Sequence, residues 1–372
     1  MSEPEKARSA TIFDVARLAG VSHQTVSRVL NDLPNVRPAT RERVEKAIRQ
    51  LRYVPSPAAR ALVTRRSRTI GLVVTGAAER GPSSTALHFN AAARDARYAV
   101  ITASLMRTDV TELREAAELL VRQNVEAIVL IATDRSGVDA LEGVELGVPL
   151  VTVASEQRGV QHRVTLDQFG GARAAVDYLV EAGHREIRHV AGPAGSMDAS
   201  ERARAWFTAL SDRGLVAREP IPGDWTPESG FTAGRILAEQ SDFTAVFVAN
   251  DQMAIGVMRA FAVAGLDVPR DVSVIGFDDL PESEFLSPPL STVRQDFRGL
   301  GQDAMTLVLS VLGDAETPDP PLRPTELLVR GSVAPPRSAS ARAADPERRN
   351  DPERRNAAED ATRLPAEADS AR

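Results

Sequence analysis

The chain contains no cysteine, and this absence removes several kinds of chemistry from consideration. Disulfide bonds, thiol catalysis and Cys-ligated metal sites are excluded, and the composition suits a reducing compartment. No apolar run approaches the roughly 20 residues that a membrane span requires. The N-terminal residues 1–11 have no apolar core, so we expect no secretory signal. These absences favour a cytoplasmic protein with no membrane partner.

The motifs of common α/β enzymes are missing as well. The chain has no phosphate-binding P-loop, no Gly-rich dinucleotide motif after its first predicted strand and no G-x-S-x-G. Its five histidines show no metal-ligand spacing, and we expect His184 and His189, which flank the start of a predicted strand, to be structural. We therefore expect no catalytic residues, no metal and no cofactor.

The formal net charge of −6 hides an uneven distribution. Residues 1–66 hold 13 Lys and Arg against 6 Asp and Glu, a balance of +7, whereas the remainder of the chain carries −13. A basic segment joined to an acidic body indicates a nucleic-acid partner for that segment alone. A solvated Arg-rich surface explains the charge equally well, so the charge alone does not distinguish a nucleic-acid partner from a solvated surface.

Three amphipathic segments begin the chain, at Thr11–Leu18, Ser22–Leu30 and Pro38–Leu51. Apolar residues recur at helical spacing in each of them, Thr11 is suited to cap the first helix, and Pro38 suits the first turn of the third. Gly20 separates the first two helices. Helix, Gly-containing turn and helix is the arrangement in which the second helix enters the major groove of DNA.

The second predicted helix carries side chains suited to reading bases. His23, Gln24, Ser27 and Arg28 lie on its polar side. Gln pairs with adenine through two hydrogen bonds and Arg with guanine, while hydroxyls such as that of Ser22 reach phosphates. Short polar helices also occur in bundles that never contact DNA, and this pattern alone leaves that alternative open.

From Thr69 onward, short apolar runs alternate with amphipathic helices. About 260 residues of such alternation predict two lobes, each a parallel sheet covered on both faces, with a ligand site at the carboxyl ends of the strands. The predicted strands are Thr69–Thr75, Ala99–Leu105, Ala127–Ala132, Leu150–Val153, Ile187–Ala191, Ala245–Val248 and Val272–Phe277. The predicted helices are Thr111–Gln123, Gly171–Ala182, Ser200–Arg213, Gly230–Glu239 and Gln252–Ala264. Residues Ala77–Ser84 are predicted to form a loop.

The predicted fold class is therefore α/β with a helical N-terminal head. Its parts are a three-helix helix-turn-helix domain (residues 1–54), a Pro-capped hinge and linker (55–67), two doubly wound α/β lobes (68–333) and a tail (334–372). The tail contains a tandem DPERRN repeat and few apolar residues. Because it cannot bury enough apolar surface to offset its ordering entropy, we predict that it is disordered.

The N-terminal stretch TIFDVARLAGVSHQTVSRVLN resembles the lactose-repressor family of bacterial regulators, and so does the following RPATRERVEKAIRQLRYVPSPAARALVTRRSRTIGLV. The resemblance implies that His23 and Gln24 set operator specificity and that Arg28 contacts a further base. It also implies a hinge helix in which Leu62, with Ala59 one turn earlier, wedges into the minor groove. A plain linker, with Leu62 packed on the body, is the alternative. The positions implied to hold phosphates or nearby bases are Thr11, Ser22, Ser27, Asn31, Asn35, Thr40 and Tyr53.

The resemblance continues to about residue 333 through the motifs HVAGP, PGDW, VANDQMAIGVMRAF, VSVIGFDD and PPLSTVRQDF. It implies a body similar to periplasmic sugar-binding proteins, with two lobes, three crossovers and a sugar in the cleft. Sugar hydroxyls require charged or amide groups, and the C–H face of the ring suits an aromatic side chain. The implied effector-binding residues are Arg202, Asn250 and Asp278, the stacking ring of Trp225, and Thr75, Glu79, Gln295 and Phe297. Taken singly, Asn250 and Asp278 could instead cap helices or turns, Trp225 could anchor a surface loop, and Arg202 could be solvated.

Three positions depart from the family pattern. Glu79 stands where an apolar residue is expected and Ala154 where a pocket Asp is expected, which suggests altered hydroxyl recognition. Glu79 could also point to solvent from its predicted loop. Arg37 stands where a Ser often caps the third helix, and an Arg side chain cannot cap in that way but could contact phosphate.

The resemblance implies a homodimer that reads a palindromic double-stranded operator, with a small sugar, galactoside-like or another saccharide, controlling its operator affinity. We expect the sugar to weaken DNA binding, although some members of the family bind DNA more tightly with ligand. Residues 335–372 contain one Leu, Leu364, and no heptad seam, so we expect dimers without tetramers. A secreted sugar-binding protein and a doubly wound enzyme are the rival interpretations, and the basic head and missing motifs argue against them.

Overall fold

The structure, a computed structural model, describes residues 10–30, 33–53, 66–141, 143–155, 162–313 and 322–337. The chain divides into two compact units, residues 1–68 and residues 69–372. Several sequence-based predictions lie outside the described residues. They are the roles of Asn31, Ala59 and Leu62 and the disorder of the tail beyond residue 337.

In the described residues of the first unit, three helices surround a small apolar core. The helices are α1 (Ile12–Ala19), α2 (His23–Leu30) and α3 (Pro38–Leu51). Thr11 and Asp14 form a capping box at the start of α1, in which each side chain accepts a hydrogen bond from the other's backbone N–H. Gly20 ends α1 with a φ of 64°, a conformation that glycine adopts without strain. The buried core residues are Val15, Ala16, Ala19, Val26, Val29, Val44 and Ala47.

The third helix begins without a side-chain cap. Arg37 occupies the capping position and makes no capping hydrogen bond. A guanidinium has donors only and cannot accept from the first backbone N–H groups of a helix, so this prediction is confirmed. Pro38 partly compensates, because its ring nitrogen carries no hydrogen that would need a partner.

The N-lobe of the second unit is built on a parallel sheet. Its elements are β1 (Thr69–Val74), α4 (Arg80–Asp95), β2 (Ala99–Ser104), α5 (Val110–Arg122), β3 (Ala127–Ile131), α6 (Arg135–Leu141), β4 (Leu150–Val153) and β5 (Arg163–Val164). The strand order is β2-β1-β3-β4-β5, and every neighbouring pair is parallel. The continuous apolar runs of β1 and β3 are buried on both faces, as a doubly wound sheet requires.

The C-lobe repeats this design with a smaller sheet. Its elements are α7 (Gln168–Glu181), β6 (Ile187–Ala191), α8 (Met197–Ser211), β7 (Ile221–Pro222), α9 (Pro227–Ala238), β8 (Ala245–Val248), α10 (Asp251–Val263), β9 (Ser273–Ile275), a 3-10 turn (Pro281–Phe285) and β10 (Thr292–Arg294). The strand order is β7-β6-β8-β9, again parallel. The two predicted lobes are therefore confirmed.

Three segments of the chain cross between the lobes, as the resemblance implied. The first lies between β5 and α7. The second leads from β10 into α11 (Phe297–Gly313), which packs on α4 of the N-lobe, and the third leads from α11 to β11 (Glu326–Leu328), which pairs with β10. Arg323 lies in the third crossover and contacts the other two. Its guanidinium lies 2.7 Å from Asp296 of the second crossover, and its carbonyl accepts from the Asp167 N–H of the first at 2.8 Å.

The predicted loop at Ala77–Ser84 is wrong, because α4 begins at Arg80. Gly81 and Pro82 resemble loop residues in sequence, but both lie in the first turn of the helix, where a proline loses no intrahelical hydrogen bond. The helices α4, α6 and α11 and the short strands β5, β7, β10 and β11 were not predicted. The other predicted strands and helices are present, with ends shifted by a few residues.

Among the described residues, none of the helices combines the length and apolar character needed to span a membrane. Nor does the described part of the chain bring three or more His, Asp or Glu side chains into a group that could hold a metal ion.

Candidate functional site

A polar cleft lies where the strands of the two lobes end. Its walls come from the carboxyl ends of β1, β3 and β4, from the loops that follow β8 and β9, and from the crossovers. The cleft encloses about 690 Å³ of space between its walls, a volume that includes solvent at its open mouth. The predicted effector residues that line it are Glu79, Arg202, Trp225, Asn250, Asp278, Gln295 and Phe297.

Thr75 is the predicted effector residue that does not line the cleft. Its side chain is fully buried, and its hydroxyl donates to the Ile131 carbonyl at 3.4 Å. The same oxygen accepts from the Thr133 N–H at 3.1 Å. Because Thr133 does line the cleft, Thr75 positions the wall from behind.

Arg202 is fixed from several sides at the base of the cleft, and only 3% of its side-chain surface is exposed. Its Nε donates to Gln168 Oε1 at 2.9 Å, and its Nη1 donates to the Ala249 carbonyl. Its Nη2 lies 3.5 Å from an Asp278 oxygen and 3.8 Å from an Asp198 oxygen. A guanidinium held in this way is a preorganised donor of charge-assisted hydrogen bonds to a ligand oxygen.

The side-chain amides of Gln168 and Gln295 join Arg202 and Asp278 to the crossovers. Gln168 Nε2 donates to Gln295 Oε1 at 2.8 Å, and Gln295 Nε2 donates to Asp278. Burial raises the pKa of Asp278, while the Arg202 charge and the Gln295 hydrogen bond oppose that rise. Because Gln168 and Gln295 each stand beside a crossover, the groups that face a ligand are bonded to the segments that join the lobes.

Trp225 is held at the cleft by its backbone and by a glycine. It has a φ of 74°, and its carbonyl accepts from Asn250 Nδ2 at 3.1 Å. Its ring covers Gly192 so closely that an added Cβ there would approach the ring to 2.2 Å. Asn250 also caps α10, since its Oδ1 accepts from the Met253 N–H at 2.9 Å. The capping role left open for Asn250 is therefore present in addition to its place in the cleft.

Glu79 lines the cleft and does not point away into solvent. It stands at the start of α4 without making a capping hydrogen bond. Its carboxylate packs against Gly76, where an added Cβ would lie 2.8 Å from Oε1. Burial, and then the negative charges of Asp198 and Asp134, raise the pKa of Glu79 to about 7. The alternative in which Glu79 points to solvent rested on the wrong loop assignment, and the structure instead places Glu79 in the cleft wall as the resemblance implied.

Sequence reasoning missed other cleft residues, among them Arg80, Gln168 and Asp198. Asp198, in the first turn of α8, accepts a hydrogen bond from Ser155, which also lines the cleft. Ala154 lies in the wall without a polar side chain, so the carboxylate on this side comes from Asp198. The spacing of four residues between Asp198 and Arg202 places both on one face of a helix, and this signal could have revealed Asp198.

A buried carboxylate beneath the cleft fixes the loop that carries Asp278. Asp251 accepts hydrogen bonds from the hydroxyls of Ser283 and Thr292, each at 2.6 Å, and from the Leu280 N–H at 2.9 Å. Burial nevertheless raises the pKa of Asp251 to about 7. This network holds the loop after β9 in place, and Asp278 therefore keeps its position at the strand end.

The two histidines predicted to be structural lie in the C-lobe and outside the cleft wall. His184 Nε2 lies 3.0 Å from the carbonyl oxygen of Ala334, which ties the first residue of the predicted tail to the lobe. His189 stacks between the rings of Trp206 and Phe247, and its Nδ1 lies 2.9 Å from the Phe247 carbonyl oxygen. Burial lowers the pKa of His189 to about 4.

Acid is expected to destabilise the protein through His189. The native ring remains neutral down to about pH 4, whereas a histidine in the unfolded chain takes up a proton near pH 6.5. The unfolded state binds more protons between these values, so this residue lowers the free energy of unfolding as the pH falls from about 6.5 to 4, by at most roughly 3 kcal/mol. Urea unfolding at pH 7 and pH 5 should show a smaller loss for His189→Phe than for the unaltered protein. Equal losses would contradict the assignment of a buried neutral ring.

In the first unit, α2 exposes the side chains that were predicted to contact bases. His23, Gln24 and Arg28 are exposed, whereas the valines of α2 face the core. Ser22 begins the helix by accepting from the Thr25 N–H at 3.2 Å. The helix therefore presents one polar side with its apolar side packed, which is the arrangement that a DNA-reading helix needs.

The other predicted DNA-binding positions that the structure describes are Thr11, Ser27, Asn35, Thr40 and Tyr53. Asn35 is exposed with a φ of 74°, and Tyr53 packs in part against the core. The hydroxyl of Thr11 is hydrogen-bonded to Asp14, and Ser27 and Thr40 are half-buried.

Phe13 is an exposed aromatic side chain that sequence reasoning did not select. Its ring is 61% exposed, and its centroid lies 5.3 Å from that of His23. Phe13 therefore supports the His23 ring at the beginning of α2.

Comparisons with known proteins cover both units. Residues 11–56 match the family model for bacterial regulatory proteins, lacI family, and residues 176–333 match the periplasmic binding protein-like domain. The lactose operon repressor of Escherichia coli (strain K12) is 33% identical over 336 residues, which are 90% of this chain and 93% of that protein. The HTH-type transcriptional regulator CelR of Thermobifida fusca is 36% identical over 343 residues, 88% of this chain and 99% of its own.

Solved structures give a consistent result. A lac repressor dimer bound to operator and the anti-inducer ONPF superposes with a TM-score of 0.81 at 32% identity, covering 88% of this chain and all of that one. A complex of the transcriptional regulator CelR with cellobiose gives a TM-score of 0.64 at 33% identity, covering 87% of this chain and 99% of that one.

Proposed function

Because the chain belongs to the lacI family of bacterial regulatory proteins, we propose that it is a transcriptional repressor whose affinity for its operator is controlled by a small saccharide. One observation carries the proposal: a helix-turn-helix unit with exposed base-reading side chains shares one chain with a cleft of sugar-binding character. A transport protein would not need the first.

The DNA partner is a double-stranded palindrome read by a homodimer. The lac repressor structure bound to operator is a dimer, and a two-fold protein reads two half-sites related by the same symmetry. The domain boundaries that we propose are residues 1–54 for the DNA-binding domain, 55–67 for the hinge, 68–333 for the ligand-binding domain and 334–372 for a tail. With no heptad seam in that tail, the assembly stops at the dimer. We place the protein in the cytoplasm, on nucleoid DNA.

The ligand class follows from the cleft. Arg202 and Asn250 offer donors, Asp278 offers a carboxylate acceptor, and Trp225 offers an aromatic face for the C–H side of a sugar ring. The relative CelR is solved with cellobiose, which is consistent with a saccharide here. Glu79 and Gln295 are proposed as further ligand contacts, with Phe297 closing the apolar side.

The sign of control that we propose is induction. A ligand that binds between the lobes favours the arrangement in which both walls contact it, and this is a shift between two states of the body. Arg202, Gln168 and Gln295 link the ligand to the crossovers, so a closed arrangement is transmitted to the segments that join the lobes. DNA is then released because the operator-binding state is disfavoured.

The first test is selection of DNA from a random library, followed by fluorescence anisotropy of the selected sequence. We expect enrichment of a palindrome, salt-sensitive saturable binding, and release on addition of one saccharide from a panel of mono- and disaccharides. Sedimentation of the same preparation should give a dimer.

Three outcomes would change the proposal. No enriched sequence would overturn the repressor assignment. Binding strengthened by a saccharide would retain the regulator and reverse the sign of control. A stable tetramer would overturn the proposed assembly.

A further inference from the structure

Glu79 brings a carboxylate to the cleft without a bonded partner. Among the described residues, the Glu79 carboxylate has no hydrogen-bond or ion-pair partner. The charges that raise the pKa of Glu79 are those of Asp198 and Asp134, and both are negative. The guanidinium of Arg202, by contrast, lies 3.5 Å from an Asp278 oxygen and 3.8 Å from an Asp198 oxygen. Within the described part of the chain, Glu79 is therefore a carboxylate of the cleft wall that no cation pairs.

The two neighbouring aspartates are already satisfied, whereas Glu79 is not. Asp134 accepts from the Gly137 N–H at 2.9 Å and from the Ser136 hydroxyl at 2.7 Å. Asp198 accepts from Ser155 and lies 3.8 Å from Arg202. Glu79 thus remains a half-buried carboxylate that faces the ligand space, and its raised pKa reflects the cost of that position.

We propose that Glu79 selects a saccharide carrying a protonated amine, and that this amine lies at the N-lobe end of the cleft. The inference rests on the proposed function, and it names the ligand class of the same cleft. An ammonium group offers three donors and a positive charge, and it would make a charge-assisted hydrogen bond with Glu79. A neutral hydroxyl offers one donor and no charge, and an anionic group would be repelled by all three carboxylates. The hydroxyls of such a ligand suit Arg202, Asn250 and Asp278, which line the same cleft.

The position of the Glu79 carboxylate is set by the backbone beneath it. Gly76 has a φ of 60°, and an added Cβ there would lie 2.8 Å both from Glu79 Oε1 and from Thr133 Cγ2. The absence of a side chain at Gly76 therefore lets the carboxylate fold inward over the strand ends. With a pKa near 7, Glu79 is part-protonated at neutral pH, so contact with an ammonium group should release protons from it.

The experiment is isothermal titration of the full chain at pH 7 with matched sugars. Each set contains the neutral sugar, the amino sugar and its N-acetyl derivative, which keeps the nitrogen and removes its charge. The sets are glucose with glucosamine and N-acetylglucosamine, galactose with galactosamine and N-acetylgalactosamine, and cellobiose with the β-1,4-linked glucosamine disaccharide and its diacetyl form. In a set that binds, we expect the amino sugar to bind at least tenfold more tightly than the other two members.

Substitutions at position 79 test whether Glu79 causes the preference for the amino sugar. Glu79→Gln and Glu79→Leu should each bind the amino sugar no more tightly than its neutral parent. Glu118→Gln makes the same chemical change on an exposed glutamate of α5 and should keep the preference. Titration in buffers of different ionisation enthalpy should show proton release by the unaltered protein that Glu79→Gln reduces.

The outcomes separate this inference from the proposed function. If neutral sugars bind as tightly as their amino counterparts, the amine selection is overturned and the saccharide-controlled repressor stands. If no saccharide of any kind binds, the inference and the ligand class of the proposed function are both overturned. If the amine preference survives in both Glu79 variants, the role of Glu79 is overturned.

Discussion

Replacing Arg202 with alanine is expected to abolish the response to ligand and to lower the free energy of unfolding by about 3–5 kcal/mol. The guanidinium lies 3.5 Å from Asp278, and both side chains are more than nine-tenths buried. Truncation leaves the Asp278 carboxylate buried without its cation and leaves Gln168 Oε1 and the Ala249 carbonyl without their donor. It also removes the fixed donor that we propose for a saccharide oxygen. The measurements are urea unfolding and release of operator DNA by the saccharide that acts on the unaltered protein.

Arg204→Ala is the matched control, because Arg204 lies two residues further along the same helix. Its guanidinium pairs with Glu201 at the surface, where 56% of the arginine side chain is exposed. An exposed pair of this kind contributes less than about 1 kcal/mol, so stability and ligand response should change little. Adding Asp278→Asn to Arg202→Ala should restore part of the stability without restoring the response. An Arg202→Ala protein as stable and as responsive as the Arg204→Ala protein would show that the buried pair has neither role.

The positions of most strands and helices could be predicted from the sequence because their signals are local. The buried strands β1, β3 and β8 are short apolar runs, and the capping residue Thr11 and Gly20 mark the two ends of α1. The helix α4 was not predicted, and its first turn was assigned to a loop because Gly81 and Pro82 are typical of loops in sequence but are tolerated in a first helical turn. Glu79 was nevertheless predicted at the ligand site, because the resemblance and not the local pattern supplied it.

The candidate cleft could be predicted only in part, since its hydrogen bonds join distant segments. Gln168 and Gln295 are bonded although 127 residues separate them, and no periodic pattern connects such positions. The resemblance supplied Arg202 and Asp278, but Asp198 was not predicted. Thr75 shows the opposite kind of error. The resemblance assigned it to the pocket, but it lies behind the cleft wall, where it is bonded to Thr133.

Replacing Gln24 or Arg28 with alanine is expected to weaken binding to the selected operator by roughly 1–3 kcal/mol each, about 5- to 150-fold. Both side chains are exposed on α2 while the opposite side of this helix packs into the core, so truncation should leave the unit folded. Affinity for unrelated DNA should change little for Gln24→Ala, since that contact reads a base and not the backbone. Competition anisotropy with operator and scrambled DNA gives both affinities.

Two controls on α3 separate base reading from general charge and surface effects. Gln50→Ala removes an exposed glutamine and should leave operator affinity unchanged. Arg49→Ala removes an exposed positive charge that lies 4.0 Å from Glu45, and it should not lower the ratio of operator to scrambled-DNA affinity. If Arg28→Ala lowered both affinities equally, Arg28 would be a phosphate contact, because only a base contact distinguishes the two sequences. If Gln24→Ala also left the ratio unchanged, α2 would not be the reading helix, and the remaining exposed surface of the first unit would have to supply the specificity.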